Sequence, residues 1–89
     1  MARKLIEQIP LDEAVAIARN ILLPEGLNSL QEEILRKSWS GETYEAIAEA
    51  SGYSIQHVRD VGYKLWKSLS QVLGEKITKN NVQSALGVI

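Results

Sequence analysis

The sequence predicts an all-α fold, a compact bundle of four or five helices with no β-sheet. Three observations predict it. Apolar residues recur at three- and four-residue spacing along nearly the whole chain. The periodic stretches are bounded by helix start and stop signals. One pair of stretches, Thr43 to Val61, is joined by a short turn built on glycine.

The first helix is expected from about Leu11 to Leu23. Pro10 precedes it, Asp12 and Glu13 occupy its first turn, and Pro24 stops it. Leu11, Val15, Ala18 and Leu22 share a face, flanked by Ala14, Ile17 and Ile21, so this helix must pack against a neighbour. Pro24-Glu25-Gly26 forms a turn. The second helix begins at Asn28, where Asn28 with Gln31, or Ser29 with Glu32, can form a capping box. Leu30, Ile34, Leu35 and Ser38 make one face, Trp39 closes it, and Ser40-Gly41 ends it. Thr43 caps a third helix running to about Ala50, which Ser51-Gly52 breaks. Ser54 starts a fourth that continues to about Leu73, with Ile55, Val58, Val61, Leu65, Leu69 and Val72 as its stripe and Gly74 as terminator. In the tail, Thr78 to Asn81 form a turn and Val82 to Leu86 a short apolar segment. The expected organisation is one structural domain, with residues 1–26 as an N-terminal helix and turn packed on a core unit of residues 27–89.

Composition narrows function. A chain of 89 residues makes one domain with a modest core. Hydrophobic residues at 45% exclude compositional disorder. The absence of cysteine excludes disulfides, thiolate metal sites and cysteine catalysis, and the one histidine, His57, cannot build a metal site alone. Neither a metal nor a cofactor is expected. The apolar run after the basic start breaks at Glu7, too early for a signal-peptide core, and no stretch approaches the ~20 apolar residues that span a bilayer. The expected location is cytoplasmic. The net charge of −1 requires any basic surface to be local, which counts against strong nucleic-acid affinity.

The segment Thr43-Tyr44-Glu45-Ala46-Ile47-Ala48-Glu49-Ala50-Ser51-Gly52-Tyr53-Ser54-Ile55-Gln56-His57-Val58-Arg59-Asp60-Val61 has the organisation of a helix-turn-helix. Ala48 is small where the following helix crosses. Gly52 can take the left-handed conformation of a tight turn. Ser54 caps the second helix. Val58 and Val61 point back to the core over Ile47. The expected core joins Leu30, Ile34, Leu35, Ile47, Ala48, Val58, Val61 and Leu65.

The surrounding residues extend a resemblance. Leu27-Asn28-Ser29-Leu30-Gln31-Glu32-Glu33-Ile34-Leu35, followed by Gly41-Glu42-Thr43-Tyr44-Glu45-Ala46-Ile47-Ala48, resembles region four of bacterial sigma factors and related response-regulator output domains. Leu30 to Trp39, Tyr44 to Ala48, Ser51-Gly52-Tyr53, Asp60-Val61-Gly62, Lys64-Leu65-Trp66 and Leu73 to Asn81 are similar to an N-terminal helix-turn-helix domain of large cyanobacterial signalling proteins. In that family a signal-transduction ATPase module follows, often with β-propeller repeats, or the domain stands in von Willebrand-A/MoxR-associated conflict systems. The resemblance covers about Leu27 to Leu86 and is weaker before it. It implies that the chain is the N-terminal part of something larger.

Two functions follow as candidates. In a DNA-binding module, Gln56, His57 and Arg59 reach base edges, Lys64 and Lys67 meet phosphates, and Thr43 and Tyr44 touch the backbone. Ser54 and Tyr63 complete that contact set. Alternatively these are ordinary solvated residues, and the domain is a protein-interaction adaptor that has lost DNA affinity, with Tyr63 as an aromatic anchor. The intact motif favours DNA, which is ranked first. The acidic Glu42, Glu45, Glu49 and Asp60 favour the adaptor. Trp39 and Trp66 are read as core or rim packing. Asp12, Glu13, Glu32 and Glu33 compensate helix dipoles. No nucleophile and acid-base partner, phosphate loop or metal spacing suggests an enzyme.

Overall fold

The structure, a computed structural model, describes residues 10–87. The expected features of residues 1–9, 88 and 89 lie outside the described residues. Within them the chain forms five helices and no strand. They are α1 (Leu11–Ile21), α2 (Ser29–Trp39), α3 (Tyr44–Ser51), α4 (Ile55–Leu73) and α5 (Val82–Gly87).

Helix α1 ends earlier than Leu23. The residue before a proline is disfavoured in the helical region. The chain therefore leaves the helix at Leu22, and a turn closed by Gly26 N–H donating to the Leu22 carbonyl (3.1 Å) leads into α2. The capping box of α2 is the Asn28–Gln31 pair. Asn28 Oδ1 accepts from Gln31 N at 2.8 Å, and Gln31 Oε1 accepts from Asn28 N at 2.9 Å.

The core joins Ile34 and Leu35 of α2, Ile47 and Ala48 of α3, and Val58, Leu65, Trp66 and Leu69 of α4. Helix α1 adds Val15 and Ala18, and the tail adds Ile77, Val82 and Leu86. Two expected core residues, Leu30 and Val61, are only partly buried and lie on its rim. On α4, Gly62 and Trp66 take the inward positions that Val61 and Val72 were expected to share. Val72 is 52% exposed, because it stands on the last turn of α4 over an open groove next to Leu22 and Leu23.

Ion pairs add a second attachment of α1 to α2. Arg36 donates to Asp12 at 2.7 Å and to Glu32 at 2.9 Å, and Arg19 reaches Glu32 at 2.6 Å. Asp12 and Glu32 thus do more than compensate helix dipoles.

The tail is clasped to α4. Ser70 Oγ accepts from Ile77 N and donates to the Trp66 carbonyl, both at 2.8 Å. Asn81 Oδ1 accepts from Thr78 N at 2.7 Å, and its amide donates to the Lys76 carbonyl at 2.9 Å. The bonds to Ile77 N, Thr78 N and the Lys76 carbonyl satisfy backbone groups of the loop that lie outside any helix. They fix Lys76 to Asn80 beside the middle of α4.

Candidate functional site

Local rules set the two helices at the centre of the molecule. Thr43 Oγ1 accepts from Ala46 N at 3.1 Å, which caps α3. Gly52 closes it with φ +82°, a conformation that a side chain bearing a Cβ adopts at a cost. Ser54 Oγ then accepts from His57 N at 3.1 Å and caps α4. Ile47 and Val58 are fully buried on either side of the turn. The α3–turn–α4 unit is therefore a helix-turn-helix in geometry.

The two helices also meet at a second point. A Cβ placed on Gly62 would lie 3.0 Å from Tyr44 Cε1 and 3.2 Å from its hydroxyl oxygen. The missing side chain is what lets the Tyr44 ring lie against α4. The tyrosine hydroxyl accepts from Trp66 Nε1 at 2.9 Å, and the ring meets Tyr63 edge to face at 6.1 Å. Burial pushes the Tyr44 hydroxyl above its ordinary pKa, partly opposed by the Trp66 hydrogen bond.

The expected contact residues divide into three groups. Gln56, Tyr63, Lys64 and Lys67 are exposed along the outer side of α4, with Asp60 among them. Gln56 Nε2 lies 3.4 Å from Asp60 Oδ1. His57 lies elsewhere. It packs against Tyr53 at 5.0 Å and borders a groove with Asn28 and Leu30 of the α2 end. Arg59 turns toward α3, with its side chain 43% exposed and Nη2 3.9 Å from Glu45 Oε2. Thr43 and Ser54 are exposed at the starts of α3 and α4, and their oxygens already serve as caps. Tyr44 is half-buried and wedged, a packing residue as much as a surface one.

Sequence reasoning missed three participants. Gly62 is one, and its signal in the sequence is an isolated glycine inside a helical pattern, a mark of close packing. Lys76 and Lys79 are the others, and nothing in the sequence of the tail ties them to α4. Lys79 Nζ lies 5.6 Å from the Tyr44 ring centroid, within cation–π range. Lys64, Lys67, Lys76 and Lys79 lie on the later part of α4 and the tail, with Glu75 beside Lys76 as the acidic residue of that stretch, whereas Glu42, Glu45 and Glu49 lie on and before α3.

The sequence matches, over residues 10–88, the family described as vWA-MoxR associated protein N-terminal HTH. The chain belongs to this family. The match takes in α1 as well, so the helix that carried the resemblance least clearly is part of the family's domain. No curated protein and no solved structure matches the chain. Among the described residues of this family member, α1, α2 and the tail complete the core around α3 and α4. Among the described residues, no group of three or more His, Cys, Asp or Glu could hold a metal ion, and no helix is long and apolar enough to cross a membrane.

Proposed function

We propose that the domain is a binding module that docks α4 in the major groove of DNA, as part of a larger regulatory protein. The observation that carries this reading is the outer side of α4. It is bare of packing over its first turns, where Gln56 is exposed, and basic farther on at Lys64 and Lys67. A helix presented this way can set its N-terminal side chains against base edges while later lysines meet phosphates. Arg59 can join them by leaving Glu45, since a separation of 3.9 Å makes a weak pair. Thr43 and Tyr44, at the start of α3, stand where such modules touch the sugar-phosphate backbone.

A protein-docking adaptor is favoured by one specific observation. Asp60 lies within the outer row, and Glu45 and Glu49 are exposed on the adjoining helix, so the half of α4 that would enter the groove has no basic excess. Fluorescence anisotropy of the 89-residue chain with labelled mixed-sequence duplexes, across a salt series, separates the two. DNA docking predicts measurable binding at low salt that falls linearly on a log–log plot, with a slope of about −0.9 per phosphate contacted. No binding at the lowest salt refutes it and leaves the adaptor reading in its place.

A further inference from the structure

Tyr44, Tyr63, Trp66 and Ile77 line one groove between the start of α3, the middle of α4 and the clasped tail. Its volume is about 490 Å³. Most of its lining is apolar, and the Tyr63 ring, 59% exposed, is its most open wall. Three lysines, Lys67, Lys76 and Lys79, stand around it, and no acidic residue lines it. We propose that this groove is a docking site for a peptide segment in which one large apolar side chain is flanked by acidic residues.

Each part of that occupant answers a feature of the groove. The apolar floor calls for a side chain that loses water on binding, and tyrosine is among the residues that contribute most at such contacts. Three lysines around an apolar floor call for negative charge on both sides of the anchor. The basic rim would select acidic segments and raise their rate of encounter. A phosphate chain fits the groove less well. Lysine offers a point charge and not the planar fork that grips a phosphate in two places. The backbone N–H groups of Ile77 and Thr78 are already spent on Ser70 and Asn81, so at these residues the loop has no free amides to cradle an anion. A sugar-phosphate backbone would also leave the apolar floor uncovered.

The site goes beyond the DNA reading and is separable from it. It shares Tyr44, Tyr63 and Lys67 with the proposed DNA contacts but not Thr43, Gln56, Arg59 or Lys64. Occupation of the groove and of a DNA groove by the same lysine would therefore compete.

The test uses an array of short labelled peptides carrying one leucine, phenylalanine or tryptophan between glutamates. A glutamate-only set and a lysine-flanked set serve as controls. The 89-residue chain is titrated against them by fluorescence anisotropy, and amide chemical shifts map the site. The expected result is binding only by the glutamate-flanked apolar set, weakening with salt, with shifts centred on Tyr44, Tyr63, Ile77 and Thr78. Tyr63→Ala, and separately the double variant Lys76→Glu with Lys79→Glu, should each weaken it by about tenfold or more. Arg59→Ala should leave peptide binding unchanged. Circular dichroism of each variant checks that the helices are retained. The proposal is overturned if no peptide binds, or if glutamate-only peptides bind equally well. It is also overturned if the lysine double variant binds normally, or if the shifts at these residues follow an oligonucleotide and no peptide. The DNA reading is scored independently, by duplex titration of Arg59→Ala and Lys64→Ala, so either idea can fail alone.

Discussion

Replacing Gly62 by alanine sets two effects of similar size against each other. Within a helix, alanine is favoured over glycine by about 1 kcal/mol. The added Cβ would, however, lie 3.0 Å from Tyr44 Cε1 and 3.2 Å from its hydroxyl oxygen. Comfortable separations between such carbons are about 3.5–4.0 Å. The ring cannot retreat freely, because Trp66 Nε1 holds its hydroxyl at 2.9 Å and Tyr63 stands against its edge. Overpacking of this kind costs about 1–3 kcal/mol. The single variant should thus range from neutral to about 2 kcal/mol less stable. The sharper quantity comes from a cycle with Tyr44→Leu, whose side chain ends short of the clash. In that background Gly62→Ala should stabilise by about 1 kcal/mol, worth about 4–8 °C in melting temperature for a domain of this size. The coupling between the two sites is then about 1–3 kcal/mol, measured by urea denaturation of the four proteins. A stabilisation of about 1 kcal/mol in both backgrounds would refute the reasoning, because the ring would then impose nothing on position 62.

Four further outcomes are expected. Arg59→Ala should reduce discrimination between duplex sequences by about 1–3 kcal/mol, whereas Lys67→Ala should weaken all duplexes alike and flatten the salt slope by about one phosphate, both read by anisotropy. Ser38→Ala should leave stability unchanged or raise it by up to about 1 kcal/mol in chemical denaturation, since the buried Ser38 Oγ has no hydrogen-bond partner among the described residues. Gly52→Val should lower stability by about 1–2 kcal/mol or more, because a β-branched residue fits poorly at φ +82°; an unchanged melting curve would contradict this. The raised pKa of Tyr44 means the folded state holds that proton more tightly than the unfolded one. Its stabilising contribution is therefore complete below the ordinary tyrosine range and is lost as pH rises through the folded value. Tyr44→Phe should flatten that alkaline loss in melts across the pH series.

The helical class, the turn and most of the core were legible in the sequence because they follow from local rules. Periodicity placed Ile34, Leu35, Val58 and Leu65, and the cap at Asn28, the left-handed Gly52 and the cap at Ser54 all stand where residue type put them. What could not be read depends on contacts between distant segments. Val72 continues the apolar stripe of α4 perfectly, yet nothing packs over it at the end of the helix. Gly62 signals a close approach by its place in a helical pattern, but its partner, Tyr44, eighteen positions earlier in the chain, emerges only from the fold. The candidate binding surface shows the same division. Gln56, Lys64 and Lys67 could be assigned to the outside of α4 by spacing alone. The orientation of His57 toward Tyr53, and the arrival of Lys76 and Lys79 beside Tyr44 and Tyr63, required the tertiary fold.

The clasp at Ser70 and Asn81 separates the shape of the tail loop from its chemistry. The hydrogen bonds that pin the loop run to backbone atoms of Lys76, Ile77 and Thr78 and to the side chains of Ser70 and Asn81. The side chains of Lys76, Lys79 and Asn80 take no part in them. Lys76 and Asn80, both exposed, are free to vary at little cost to folding while the loop stays in register with α4, and Lys79 gives up only its contact with the Tyr44 ring. Substitutions at these positions would change the charge presented beside α4 from basic to neutral or acidic without touching the clasp, so the frame and its binding preference can be altered separately.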